Sequence, residues 1–444
     1  MRTALYSYIL LFVVASLAGC ARSMLVDNPP AEQVTSRSGE HVSDDSVHEV
    51  KSERDLNTEN PCAGTSGNFC GGAAGTGEES ETGSPVPYAS DSAEPTPDLD
   101  NYKNSESGGF SYTGETITED TEWRGNVTIH GSLTIAPQAT VTIDPGTVVE
   151  FRRSSSMRNS AVLLVHGRLA ARGTEDQPVQ FRAATGDVPA GRWRGIMFLA
   201  SDKKNVMEHC RVEGAETGVD AEYSNVAVKN SRFYGCRTAL RAENSVVYIR
   251  GSKADKCGLG IGLYDSEAEL VSVTLDSNLT GIYSERSSVY LSGSNLSGNE
   301  HKAFSAGDSK VKIVKNTFAR NGSGLSLSSC EGSVSENGIV ENRDYGISIS
   351  GSMVKVNAND ISRNEGIGVR VGDGKSIAWG NVISSNGRYD LYNAGSEDYR
   401  AIGNWWGEGM STDSPGKIYD KSVDGKNGRV IYFPALRNKP DTAP

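Results

Sequence analysis

Helical periodicity, hydrophobic bulk and positive charge are all in short supply in this chain. Of its 444 residues 36% are hydrophobic and 7% aromatic, less than a domain built on a thick helical core carries. The apolar run near the start, Ile9 to Val14, is too short to cross a bilayer as a mature helix. Lys and Arg number 44 against 56 Asp and Glu, a net charge of -12. That balance counts against a general nucleic-acid binder, whose affinity comes from neutralising phosphates. It also disfavours polyanionic glycans unless a local basic patch or a bound cation intervenes. No P-loop, Ser/His/Asp set or metal-ligand spacing stands out, so no cofactor or metal is assigned.

Glycine is plentiful, at 50 residues, which suits many turns. The length exceeds one ordinary core and calls for an array or a domain with a tail.

At the N-terminus, Met1-Arg2, the apolar run and Leu17-Ala18-Gly19-Cys20 read as a leader with a small-residue cleavage site ending in cysteine. Leu17 to Cys20 resembles the lipobox of bacterial lipoproteins, which implies acylation of Cys20 and a membrane partner through several acyl chains. Ala21 in place of aspartate implies the outer membrane, facing either the periplasm or the exterior. A plain secretory signal with a coincidental cysteine is the competing reading.

From residue 20 to 112 Ser, Glu, Asp, Gly, Pro and Thr dominate without periodic apolar pattern, the composition of a tether. Cys62 and Cys70 within it suit a small disulfide loop. The expected domains are therefore a signal peptide at 1–19, an acylated flexible linker at 20–112, and a folded region at 113–444.

That region opens with short β-branched runs such as Val127-Thr128-Ile129, Leu133-Thr134-Ile135 and Val141-Thr142-Ile143, separated by turns such as Asp144-Pro145-Gly146. A repeat follows. Asn316, Asn337, Asn359 and Asn381 are spaced by 21, 22 and 22 residues, and Asn321, Asn342, Asn364 and Asn386 keep the same steps. An apolar column, Val212, Phe233, Ala254, Leu275 and Leu296, continues as Phe318, Ile339, Ile361 and Ile383. A second runs Val219, Leu240, Ile261 and Ile282. A period this long holds one coil of three short strands, so stacked coils give parallel sheets on a solenoid. The fold class is thus all-β, a parallel solenoid following a disordered tether; that it is a right-handed parallel β-helix is what the family resemblance below implies.

In that register the asparagines form two structural ladders, with amides bonding the coils above and below and a backbone able to take left-handed angles at the bend. Cys236 and Cys257 become vertical neighbours, either a stacked thiol pair or a disulfide. Cys210 and Cys330 lie too far apart to pair. Arg320, Glu341 and Arg363 stack in alternating sign.

GNVTIHGSLTIAPQATVTIDPGTVVEF at 125, HGRLAARGTEDQPVQF at 166, GRWRGIMF at 191, the array and GNWWG at 403 resemble the right-handed parallel β-helix repeat proteins of bacterial envelopes. The resemblance implies that the opening segment forms cap coils, that the segment after Trp405 and Trp406 closes the far end, and that polysaccharides are a common class of partner. Polygalacturonases, pectate lyases and epimerases share the helix, but their carboxylate clusters, calcium ligands and Tyr/Asp/His sets are not found here. His301, His130, His166 and His209 are isolated. The expected function is a lipid-anchored binding or structural module, for glycan or other envelope proteins. The alternative is a lyase, hydrolase or epimerase whose catalytic candidates are Arg343, Asp344, Arg363, Arg370 and Asp373; three or more converging carboxylates, or carboxylates with an Arg or Lys, would favour it.

Overall fold

The computed structural model describes residues 109–152, 161–184, 193–409 and 416–441; the leader, Cys20, Cys62 and Cys70 lie outside the described residues. Among these residues there are strands and turns but no helix. The strands form three parallel sheets of 13, 14 and 14 members, here called A, B and C, to which the coils contribute in turn, the last adding strands to B and C alone. The winding is right-handed, the hand that parallel crossovers take almost without exception.

Alternation explains why these segments become strands. Thr280–Glu285, in sheet B, turns Ile282 and Ser284 inward while Tyr283 and Glu285 face out. The two apolar columns of the sequence stack register on register, Phe318 on Ile339 on Ile361 in sheet A and Leu240 on Ile261 on Ile282 in sheet B. Each such side chain is worth roughly 1.5–3 kcal/mol of transfer free energy, yet one coil alone has nothing to bury it against. Near the start the column thickens into Phe151 stacked on Trp193 at 4.1 Å. At the far end Trp406 meets Tyr432 edge-on, and Val430–Ile431 adds the last strand of sheet C.

The helix opens earlier than residue 113. Phe110–Thr113 pairs with Val127–His130, and its mostly exposed residues kept it from reading as a strand. Tyr112 then accepts the indole N–H of Trp123 at 3.0 Å.

The corners are built differently from the sequence expectation. The ladder asparagines are not in the left-handed region; the residue before each one is, as in Lys315, Arg320, Glu336, Glu341, Ala358, Arg363 and Ser385. A side chain at that position points into solvent, and the next residue turns inward. Asn316 Oδ1 accepts from the backbone N–H of Ser294 at 2.9 Å, while Asn316 N–H and Nδ2 both donate to Asn337 Oδ1 at 2.9 and 3.0 Å. This pattern repeats coil after coil. A third ladder of serines runs up the B-to-C corner through Ser224, Ser245, Ser266, Ser287 and Ser309, each backbone N–H meeting the next hydroxyl at 3.0–3.1 Å. Buried polar groups here are paired, as they must be in a low-dielectric core.

Cys236 and Cys257 occupy the second ladder just before Asn278, whose Oδ1 takes the Cys257 N–H at 2.9 Å. Both are buried free thiols, as are Cys210 and Cys330. The hydrogen bond Cys236 shares with Cys257, followed by burial, pushes the Cys236 thiol up.

Candidate functional site

The five sequence candidates do not come together. Arg343 and Asp344 sit at the A-to-B corner, the guanidinium reaching Glu300 O at 3.1 Å and its neighbour's carboxylate only at 3.9 Å. Arg363 shares Glu341 with Arg320, at 3.7 and 3.6 Å, all well exposed. That is a surface ion-pair stack. Asp373 caps a B-to-C turn, its Oδ1 taking the backbone N–H groups of Ser396 and Glu397 at 2.6 and 3.0 Å. Those bonds hold its carboxyl below the usual range. Only Arg370 lies on a sheet face, with Nη1 3.5 Å from Ser348 Oγ. His166 Nδ1 bonds Leu199 O at 2.9 Å and His209 faces Asn230 at 3.4 Å, on separate coils.

A denser set of functional groups occupies the outer face of sheet B. Its middle column runs Asp220, Arg241, Gly262, Tyr283, Ser305, Ser326, Ser348, Arg370, Tyr392 and Tyr419. Arg241 Nη1 donates to Asp220 Oδ1 at 3.1 Å, its Nη2 bonds the Glu243 carboxylate, and its guanidinium lies 5.7 Å from the Tyr264 ring centre. Tyr264 leans over Gly262, where an added Cβ would meet its ring at 3.3 Å. The Tyr264 and Tyr283 rings are 5.7 Å apart, and Tyr283 O–H donates to Glu285 Oε2 at 2.8 Å. Beyond lies a floor of Ser305, Ser326 and Ser348, flanked by Gly307, Ser328 and Ser350. The far boundary is Arg370 and three mutually packed tyrosines, Tyr389, Tyr392 and Tyr419, with centroids 4.8 to 6.0 Å apart. At a strand spacing of about 4.8 Å, the stretch from Tyr283 to Arg370 spans roughly 20 Å.

The electrostatics of this face bear on its chemistry. Burial pushes the Asp220 carboxyl above its usual range against the pull of Arg241. Tyr283 is raised because its O–H is held by Glu285. A tyrosine base needs the opposite shift, and an arginine meant to neutralise a substrate carboxylate would not be spent on two protein carboxylates. Carboxylates and an arginine do converge, but bonded to one another rather than as an acid and base poised apart.

Charge is also unevenly distributed along the chain. Residues 21–108 hold 17 acidic and 5 basic side chains, while residues 109–444 hold 39 and 38. The chain's net -12 therefore belongs to the stretch before the β-helix, which itself is near neutral. The charge argument against polyanions does not reach the folded part.

The period could have found the sheet B face. Asp220 and Arg241 are 21 residues apart, and two further steps of 21 reach Tyr283. Inward columns keep one residue type from coil to coil, whereas this outward column changes from Asp220 to Arg241, Gly262 and Tyr283 and so carries no repeat signal. Trp405 and Trp406 are closing elements: Trp405 pairs with Val382, has Lys439 at 5.8 Å from its ring, and Trp406 is buried.

No curated protein matches the chain. Among solved structures it is similar to the periplasmic alginate epimerase AlgG, at 13% identity and a TM-score of 0.38, over 71% of this chain and 78% of that one. It is also similar to the A-module of the Azotobacter vinelandii mannuronan C-5 epimerase AlgE4, at 14% identity and a TM-score of 0.38, over 71% and 91%. Likeness at that level is one of coil geometry, and no activity follows from it. The family described as right handed beta helix region matches residues 190–306 and 243–405. With three continuous parallel sheets wound around one core, the chain belongs to the right-handed parallel β-helix repeat family.

Proposed function

We propose that this protein is a lipid-anchored envelope module, acylated at Cys20, whose β-helix binds a glycan along the outer face of sheet B. The observation that carries the glycan reading is the arrangement of that face: aromatic and arginine clusters at both ends of a hydroxyl-lined floor. Sugars are held by ring stacking and by planar polar groups that bond paired hydroxyls, and such groups are concentrated here. A parallel sheet keeps the ends at a fixed separation, which suits an extended polymer. Asp220 and Glu243 on Arg241, with Glu222 in register beside Glu243 and Glu285 on Tyr283, favour a glycan of low negative charge. Binding without turnover is the reading, because the network offers no freed base.

The test uses the full mature chain with Cys20→Ser, applied to a panel of immobilised glycans, with mass spectrometry on every glycan retained. Retention of an unchanged glycan, lost on Arg241→Ala and on Tyr264→Ala with Tyr283→Ala, supports the reading. A mass change, unsaturation or epimerised product would replace it with an enzyme of that face. Anchoring is checked separately by labelled palmitate, whose incorporation must disappear in Cys20→Ser.

A further inference from the structure

The C-terminal end of sheet C presents an unusual outer face. Its middle column reads Lys312, Ser333, Lys355, Ile377, Arg400 and Ile431, with Met353 and Trp379 beside it. Four large apolar side chains stand in solvent there: Met353 is 52% exposed, Ile431 42%, Trp379 39% and Ile377 37%. Core-forming residues have no structural reason to point outward on a strand whose neighbours Ala378, Tyr399 and Val430 already fill the inside. Lys312, Lys355 and Arg400 recur at every second rung, about 10 Å apart at the strand spacing. Neither Lys355 nor Arg400 has an ion-pair partner among the described residues. No outward position of this sheet from Met353 onward is acidic. The closing segment 416–441 adds six Lys and Arg against three Asp.

We infer that this face is a docking surface for an anionic lipid bilayer. A flat face of cations alternating with apolar tips matches the two components of a membrane interface. Met, Ile and Trp side chains enter the boundary of headgroups and acyl chains, where tryptophan is favoured, while the long stems of Lys355 and Arg400 carry charge to the lipid phosphates. Three cations spaced along the column match the charge of an anionic headgroup layer, and the four apolar tips among them match the acyl boundary beneath it. The inference does not depend on glycan binding, which uses another sheet.

The experiment is co-sedimentation of the full mature chain carrying Cys20→Ser, so that no acyl chain contributes, with vesicles of phosphatidylethanolamine and phosphatidylglycerol or of phosphatidylcholine alone. Partition into the anionic vesicles should exceed that into the zwitterionic ones by about tenfold and fall with salt. Ile377→Ser with Trp379→Ser, and separately Lys355→Glu with Arg400→Glu, should each abolish the preference, while Tyr283→Ala on sheet B leaves it intact. Circular dichroism melts confirm that each variant folds, and either pair alone decides the matter should the other fail to fold. Equal partition into both vesicle types would overturn the inference, as would patch variants that bind like the parent. A concentration-dependent dimer that the patch variants dissolve, without vesicle binding, would also overturn it and assign the face to a second copy.

Discussion

One carboxamide oxygen, that of Asn364, accepts both the backbone N–H of Asn342 at 3.0 Å and its Nδ2 at 2.9 Å. Asn342 Nδ2 also reaches back to Phe318 O at 3.0 Å. Each such buried asparagine therefore ties three coils together, accepting from one neighbour with its oxygen while its amide donates to the others.

Removing one such oxygen should be costly. Asn364→Ala leaves the Asn342 N–H and part of its amide without partners in the core, and an unsatisfied buried group costs about 1–3 kcal/mol. A loss of about 2–4 kcal/mol in urea unfolding is expected. Arg363→Ala, one residue earlier but exposed, should change stability by less than about 1 kcal/mol.

The cysteines give a second expectation. Burial pushes the Cys210 thiol up to about 12; the hydrogen bond with Cys236 lowers Cys257, but Cys236, Cys257 and Cys330 are all buried in their ladders, out of reach of a reagent. None of the four should react with a thiol reagent at pH 8 until denaturant is added, when all four become countable. Reaction of Cys236 or Cys257 in the native protein would show that the corner opens.

Asp220 and Arg241 should be energetically coupled. Arg241→Met strands a largely buried carboxylate and should destabilise the protein by about 1–3 kcal/mol; adding Asp220→Asn should recover most of that loss in a double-mutant cycle. Asp220 has a raised folded pKa, so its effect is most favourable below its unfolded pKa and declines as pH rises through the folded value. Asp220→Asn alone should therefore lower stability no further at pH 7 than at pH 4.

The closing segment supplies the opposite sign. Asp420 accepts Ser422 N–H at 2.9 Å, Ser422 O–H at 2.7 Å and Val430 N–H at 2.9 Å. Although burial opposes it, these bonds keep the carboxyl below its usual range. Its stabilisation is present above the unfolded pKa and is lost as pH falls through the folded one. Asp420→Asn should cost about 1–2 kcal/mol at pH 7, and the difference from wild type should vanish in thermal melts at strongly acid pH.

The array was readable because its steps of 21 and 22 residues place like residues over like, and burial enforces that register over many turns. Phe318, Ile339 and Ile361 could be stacked from spacing alone. The serine ladder was not readable, since Ser224 or Ser266 looks like any turn serine until a neighbour's N–H is seen to end on it. Left-handed angles were assigned one residue late for a related reason: asparagine tolerates them, yet here its amide is needed inside, so Lys315 or Glu336 takes the strained position. Arg343, Asp344 and Asp373 were candidates because a carboxylate with an arginine can do acid and base work. Folding sends them to different corners, whereas Asp220 and Tyr283, three coils apart, end on one face.

The ladders also have a direction. The backbone N–H of each ladder residue is met by the side-chain oxygen of the next coil, so a coil just completed carries open N–H groups at its corners until its successor arrives. A chain emerging N-terminus first would thus grow like a zip, each turn a template for the following one. Growth needs a stop: Asn386 N–H and Nδ2 end on Asp390 Oδ1 at 3.0 and 2.8 Å, and a carboxylate has no amide hydrogen to hand onward. Asp390 thus ends this ladder, as Asn404, its Nδ2 turned back to Ala401 O at 2.7 Å, ends the other.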